Sequence, residues 1–443
     1  VTGAGGASLR RVVSRWEIVG LSLNDVIGSG VYLLPAAAAA FLGRLSLWAV
    51  GLAGLAVLLL VLCFAEAASY FEEPGSAYLY ARTAFGRFVG LEVGWMTWLA
   101  RVASVASLSV GFAQSLGYVW AGATAGWGRW VSIAVPVLAL TAINYVGVKA
   151  GARTSVGLVV CKVVPLLVFV GAGLFAVSAE VAAGQQATSP GGLGAAALLL
   201  LFAYAGFENT AAPAGEYRNP RRDVPFALLV EITTVTLIYL GVQWVALGTL
   251  PHLGASETPL ADAAGRFLGP WAGWLLTVGA MLSILGTNSN TILAGPRYLF
   301  ALGRGGFGPP ALARRLASVH PRHRTPSVAI LLQTAIALPL ALSGTFVGLA
   351  ELSIVARLAT YLGTAAAVPV LRRKLAAPPG AFRVPGGVAI PVAACALSVG
   401  LAASATAENL VAAAVALGIG GVLALWGGLG GAGRSPREGD GTG

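Results

Sequence analysis

The chain has 443 residues, 57% hydrophobic and only 10% charged, with a mean hydropathy of +0.81 and a formal net charge of +11. Apolar runs recur over almost the whole length, which excludes a soluble domain and indicates a polytopic helical membrane protein in a lipid bilayer. The ten-residue alternation of a membrane barrel is missing. No soluble module gathers Lys and Arg on one face, so the basic balance implies no nucleic-acid partner.

Twelve spans are read in chain order, at about 16–40, 46–70, 85–118, 129–147, 154–178, 193–215, 224–249, 268–302, 326–343, 347–371, 386–404 and 408–428. The first contains Gly28-Ser29-Gly30, with Pro35 about one turn later. Two glycines around a serine form helix poorly. A break at mid-depth frees N–H and C=O groups that lipid cannot satisfy, so it must face protein or water. A glycine-rich packing face is the alternative for this stretch alone. The fifth span carries Lys162 in its middle, and the third and tenth carry Arg101 and Arg357 at depth. The sixth reads Leu201-Phe-Ala-Tyr-Ala-Gly-Phe-Glu-Asn209, which places Gly206 and Glu208 at mid-depth. Interrupted helices at corresponding places in two halves mark a transporter site built from inverted repeats. The repeats would be about 16–178 and 193–371, with the spans over 386–428 peripheral.

Connecting loops are short, so residues 1–443 read as one integral membrane domain. The N-terminus is polar and basic without a cleavable signal pattern, so the first span is expected to be retained. With both termini cytoplasmic, 22 of the 28 Lys and Arg fall on the inner side. Only Arg44, Arg129 and Arg266 fall in outer loops. That bias follows the positive-inside rule and accounts for the net charge without a polyanionic partner. Cys63, Cys161 and Cys395 lie in apolar spans and read as small buried hydrophobes. His252, His320 and His323 sit in loops and form no ligand cluster, so no metal or other cofactor is expected. Phe307–Val319, with Arg314 and Arg315, reads as a short amphipathic surface helix or a solvated connector.

Four motifs then occur in order. They are Val26-Ile-Gly-Ser-Gly-Val-Tyr-Leu-Leu-Pro35, Cys63-Phe-Ala-Glu-Ala-Ala with Pro74-Gly-Ser-Ala-Tyr-Leu-Tyr80, Phe202-Ala-Tyr-Ala-Gly-Phe-Glu208 with Glu216-Tyr-Arg-Asn-Pro-Arg-Arg-Asp-Val-Pro225, and Ala294-Gly-Pro-Arg-Tyr-Leu-Phe-Ala301 with Val319-His-Pro-Arg-His-Arg-Thr-Pro326. Through them the chain resembles the amino acid–polyamine–organocation (APC) transporters over nearly its full length. Gly305 departs from the acidic residue that relatives often carry, which loosens the reading of that inner loop as a gate. The resemblance implies an all-α fold of 12 transmembrane helices, a five-plus-five inverted repeat with helices 1 and 6 interrupted, and alternating access. It also implies that an amino acid binds at the two breaks.

At the first break, Gly28 and Gly30 permit close backbone approach and Ser29 adds a hydroxyl. The half-helix that begins near Gly30 offers free N–H groups and its positive end to a carboxylate. Carbonyls near Val26, Ile27, Ala203, Ala205 and Gly206 are unwound, and those of Val26, Ala203 and Ala205 could accept from an ammonium. Lys162 has two readings. One is a titratable group that couples transport to protons, since burial disfavours its charged form. The other is a permanent cation tied to helix 1 carbonyls. The family resemblance adds that such a lysine takes the place of sodium. Arg101 and Arg357 either line the pathway or form interhelical ion pairs, with Asp25, Glu92, Glu208 and Glu351 as candidate partners. By the resemblance, Glu208 is a pH-sensitive gate or a structural cap, Phe202 a lid or ordinary packing, and Asn290 a further cavity residue. Glu66, Arg218, Arg221 and Arg222 are expected in inner-loop ion pairs.

The expected function is therefore a proton-coupled, sodium-independent amino acid transporter of the plasma membrane. An obligate exchanger of the same fold and a non-transporting amino acid sensor are the alternatives. No nucleophile motif, metal cluster or phosphate loop supports an enzyme. The leaning of buried charge toward positive favours neutral substrates.

Overall fold

The computed structural model describes residues 11, 13–73, 75–146, 152–188, 192–212, 214 and 217–431. Arg10, Pro74, Lys149, Glu216, Arg434 and Arg437 of the sequence reading lie outside the described residues, as does the side chain of Arg153. The architecture is all helical: α1 (Arg15–Val26), α2 (Gly30–Leu42), α3 (Ser46–Ser69), α4 (Ser76–Phe85), α5 (Arg87–Gly117), α6 (Gly126–Val146), α7 (Ala152–Gly173), α8 (Ala179–Ala183), α9 (Gly192–Tyr204), α10 (Pro220–Thr249), α11 (Pro259–Leu268), α12 (Pro270–Arg304), α13 (Pro310–Leu316), α14 (Ser327–Ser343), α15 (Phe346–Lys374), α16 (Ala389–Ala403) and α17 (Ala407–Gly431). Among the described residues, seven helical stretches are long and apolar enough to cross a membrane, and four shorter apolar helices run 10–17 residues. Prolines set the starts of α10, α11, α12 and α13, where the missing N–H costs nothing.

Three short helices, α4, α8 and α11, lie outside the read spans. Helices α4 and α11 have ten residues each and α8 has five, too few to cross a bilayer. In α4 the buried residues Ala77, Tyr80, Ala81 and Ala84 fall at helical spacing, a pattern legible in the sequence. The stretch read as an amphipathic helix over Phe307–Val319 forms the seven-residue α13, which buries Ala313 and Leu316 and turns Arg314 and Arg315 outward.

Helices α5, α12 and α15 form one packed group, and α3 and α10 pack along each other. The broken pair α1/α2 lies among α7, α9, α10 and α12, so these helices surround the site. The outward skin is apolar: Trp48, Leu52 and Leu55 on α3 and Val411, Val415, Val422 and Trp426 on α17 are exposed, as lipid contact requires. Trp127, Trp130, Trp271 and Trp274 sit near the starts of α6 and α12, in the manner of an interfacial aromatic belt. Ionisable groups are instead inside: Glu66, Arg101, Lys162, Glu208, Glu231 and Arg357 are all buried.

One face is tied together by ion pairs. Glu72 meets Arg11 at 2.6 Å and Arg221 at 3.4 Å, and Arg15 meets Asp223 at 2.9 Å. The Arg11 hydrogen bond holds the Glu72 carboxyl below its ordinary range. A lone parallel bridge joins Val13 to Tyr217. Glu66 pairs with Arg372 at 2.6 Å rather than with the arginines after the sixth span. One expectation is corrected: Cys161 is exposed on the outer face of α7, while Cys63 is buried and Cys395 half-buried. A thiol is apolar enough to face lipid.

Candidate functional site

Helix α1 stops at Val26 and α2 starts at Gly30. Helix α9 stops at Tyr204, and a single tight turn follows over Phe207–Asn209. The two breaks touch. A Cβ on Gly206 would lie 2.8 Å from the Asp25 carbonyl oxygen, and its φ of +137° is one that side chains rarely adopt. A Cβ on Gly30 would lie 2.7 Å from the Ala203 Cα. Glycine is therefore demanded at both positions by backbone on the facing segment.

The severed end of α1 leaves carbonyls without helical partners, and scaffold side chains take them. The Lys162 ammonium, on α7, donates to the carbonyls of Asn24 (2.8 Å) and Ile27 (3.0 Å) and to the Thr287 hydroxyl (3.0 Å). Three protons meet three acceptors, and the side chain is fully buried. Ser283 on α12 also donates to Ile27, at 2.9 Å. The Tyr239 hydroxyl of α10 donates to Ala203 at 2.8 Å and lies 3.5 Å from the Val26 carbonyl oxygen, bridging the breaks.

The starting end of α2 is not capped. Its first backbone bond is donated by Tyr32 to the Ser29 carbonyl, at 3.1 Å. The N–H groups of Ser29, Gly30 and Val31 therefore precede the helical ladder. The Ser29 hydroxyl is buried and makes no hydrogen bond among the described residues.

These groups face a cleft with about 420 Å³ of empty space. Val26, Gly28, Ser29 and Gly30 line it from the first break, and Phe202, Ala205 and Gly206 from the second. Arg101 and Arg357 line it as well. Four expected residues stand just behind. Ile27 is held by Lys162, Ala203 by Tyr239, Asn290 donates to Asp25 at 2.7 Å, and Glu208 forms an ion pair with Arg357. The other Glu208 oxygen accepts from the Gly206 N–H at 3.0 Å, so this carboxylate caps the second break. Arg357 is further held by the Ser104 hydroxyl at 2.7 Å. Phe202 is buried and meets Phe346 edge-on at 6.1 Å.

Arg101 behaves differently. Its Nε and Nη2 make no hydrogen bond among the described residues, and its guanidinium stands 5.2 Å over the Tyr298 ring. None of the four acidic candidates forms an ion pair with it: Glu208 is paired to Arg357, Asp25 and Glu351 accept from Asn290 and Asn409, and Glu92 lies unpartnered against α17.

The family model described as amino acid permease matches residues 13–374. The chain belongs to this amino acid permease family. It is thus a multi-pass membrane protein and an amino acid transporter of the APC superfamily, not an enzyme. The permease is 27% identical over 412 residues to the branched-chain amino acid permease BcaP of Bacillus subtilis, covering 88% of this chain and 86% of that protein. It is 30% identical over 386 residues to the serine/threonine exchanger SteT of Bacillus subtilis, covering 85% and 86%. It is also 27% identical over 401 residues to a methylthioribose transporter of the same organism, covering 87% and 86%.

The permease's cleft also holds residues the sequence reading passed over. Thr287 and Thr291 line it, and with Ser283 they form a stripe at four-residue spacing along α12. Ser104 and Leu108 line it one and two turns from Arg101 on α5. Both stripes are visible as helical spacings. Asn209 also reaches the cleft, and no spacing singles it out; Asp25, named above only as a candidate ion-pair partner, lines it too.

Proposed function

We propose that this permease is a proton-coupled, sodium-independent secondary transporter of neutral amino acids in the plasma membrane. It has twelve spans arranged as a five-plus-five inverted repeat, over about 16–178 and 193–371, with peripheral spans over 386–428. The positive-inside bias puts both termini in the cytoplasm. The observation that carries the reading is the uncapped start of α2 at a cleft shared by two helix breaks.

The N–H groups of Ser29, Gly30 and Val31 are donors only, and the Ser29 hydroxyl, unpaired among the described residues, adds a fourth donor, so they receive the substrate α-carboxylate. The carbonyls of Val26 and Ala205 receive the α-ammonium. The Ala203 carbonyl already accepts from Tyr239 and is the weaker of the three candidates. Phe202 closes over the substrate. With its three protons satisfied, Lys162 serves best as a fixed internal cation, which removes the need for sodium at the break.

A thermal-shift panel of amino acids and amines on the purified protein tests the binding claim, because a site ligand stabilises by mass action. Neutral amino acids are expected to raise Tm, and their methyl esters are not. Equal shifts by acids and esters would remove the carboxylate from the α2 start. Vesicles test the coupling: uptake driven by an imposed pH gradient without sodium is expected. The similarity to SteT favours exchange as the second reading. An exchanger stays silent until substrate is loaded inside.

A further inference from the structure

We infer that Glu231 on α10 carries the proton that couples transport, held as a neutral carboxylic acid between the two broken helices. The inference deepens the proposed transport reading and rests on its claim of proton coupling.

The carboxyl of Glu231 is 1% exposed, and its Oε1 has no hydrogen-bond partner among the described residues. Its Oε2 accepts a single bond, from the Thr210 hydroxyl at 3.4 Å. Thr210 ends the turn that follows the second break. Ser22 of α1, just before the first break, supplies the other neighbouring hydroxyl. Ser22 spends its own proton on the Val19 carbonyl at 3.0 Å, so its lone pairs remain open to an acid O–H. Glu231 thus stands between the two segments that must move if the breaks rearrange.

Among the described residues, no cation pairs with it. Asp25 of α1 is the charged neighbour, and it has the same sign. From α7, Lys162 has committed all three protons. Arg357 is bound to Glu208 and Arg15 to Asp223, which lies two turns earlier on α10. On α3, Glu66 belongs to Arg372. Tyr204 of α9 and Tyr239 of α10 donate to the Val50 and Ala203 carbonyls. A carboxylate in this place would be a buried charge with one long hydrogen bond, which a membrane interior does not tolerate. The neutral acid fits both neighbours: it donates to Ser22 and accepts from Thr210.

The proton therefore binds Glu231 when the breaks are packed as seen here. It leaves when rearrangement of α1 and the Phe207–Thr210 turn admits water. Ionised Glu231 then repels Asp25, which holds the segments apart until a proton returns. No bond other than O–H forms or breaks, and the proton passes from one aqueous side to the other.

Infrared difference spectroscopy on the purified full chain at neutral pH reads the protonation directly. The C=O stretch of a protonated carboxylic acid should be present in the wild type, and one such band should be missing from Glu231→Gln. An unchanged spectrum overturns the inference whatever the transport data show. Vesicles then read coupling with tritiated leucine and tritiated serine. Glu231→Gln should keep exchange within about twofold of wild type and lose uptake driven by a pH gradient. Loss of both activities, or retention of both, overturns it. If wild-type uptake itself ignores a pH gradient, the coupling half of the proposed function fails separately, and the infrared band still decides the state of Glu231. Where Glu231→Gln gives no monodisperse protein, Glu231→Asp replaces it and should shift the pH of half-maximal uptake. An unshifted profile overturns the inference.

Discussion

Replacing Lys162 with methionine removes the ammonium and keeps most of the side-chain volume. Three bonds are lost, at 2.8, 3.0 and 3.0 Å. Hydrogen bonds to a charged group contribute about 1.5–3 kcal/mol each, so the gross loss is about 4.5–9 kcal/mol. Two effects offset it. The membrane interior no longer holds an ammonium, a relief of about 2.5–3.5 kcal/mol. The Asn24 carbonyl keeps the Thr287 hydroxyl at 3.2 Å and the Ile27 carbonyl keeps Ser283 at 2.9 Å, so neither acceptor is left unpaired and the loss falls at the low end of that range. The balance is a net destabilisation centred near 2 kcal/mol. At about 2–4 °C per kcal/mol for large domains, Tm should fall by about 4–8 °C. The fluorescence of the 11 tryptophans in detergent reports that shift. Uptake should fall about tenfold or more, because the α1 end is no longer fixed against α12. A variant with wild-type Tm and wild-type uptake would refute the assignment of Lys162 as the clamp of the first break.

The Arg357–Glu208 pair is buried at the second break, and breaking one partner of such a pair costs about 3–5 kcal/mol. Arg357→Met should therefore lower Tm more than Lys162→Met. Adding Glu208→Gln should recover part of that loss in a double-mutant cycle, and strict additivity would deny the coupling. Gly206→Ala places a Cβ 2.8 Å from the Asp25 carbonyl oxygen at a φ of +137°. It should abolish binding in the thermal-shift panel, while Gly400→Ala, where a Cβ meets nothing within 4 Å, should be silent. Arg101 is a guanidinium without a hydrogen-bonded anion at the cleft, so a cationic substrate side chain about 8 Å away is opposed by about 2 kcal/mol. Arg101→Met should raise the affinity for lysine at least tenfold relative to leucine, and an unchanged ratio would remove Arg101 from selectivity.

Much of the helical order was legible because the bilayer imposes a length on every apolar run, and most read spans coincide with helices to within a few residues; the sixth, read over 193–215, ends as a helix at Tyr204. The breaks were legible for a different reason. Gly28-Ser29-Gly30 and Gly206 stand out as poor helix formers inside otherwise strong apolar runs. The short helices α4 and α11 fell below the length that a bilayer reading looks for, although α4 carries a clear helical period. Pairings were not legible. Four carboxylates were open to two arginines, and spacing along the chain says nothing about which helices face each other. Only the fold brings Arg357 of α15 to Glu208 and leaves Arg101 over Tyr298. Glu231 was missed because it sits in a helix that also carries Asp223, four threonines and Gln243, so it did not stand out against its own helix.

The accounting of backbone groups at the breaks then constrains what a ligand can do there. On the α1 side, the Asn24 and Ile27 carbonyls are already held by Lys162, Thr287 and Ser283. These are groups on α7 and α12, so the break is a fixed feature of the scaffold's design and not a consequence of ligand binding. On the α2 side the donors of residues 29–31 are left over. A donor-only set with no anion of its own accepts any carboxylate equally well. On the proposed reading, the feature that receives the carboxylate is therefore blind to which amino acid is present. Discrimination falls to the side chains on the far wall, where Leu108 and Phe202 are apolar and Ser104 and Arg101 are not. On that reading, the part of the ligand common to every amino acid and its variable side chain meet different helices of the permease.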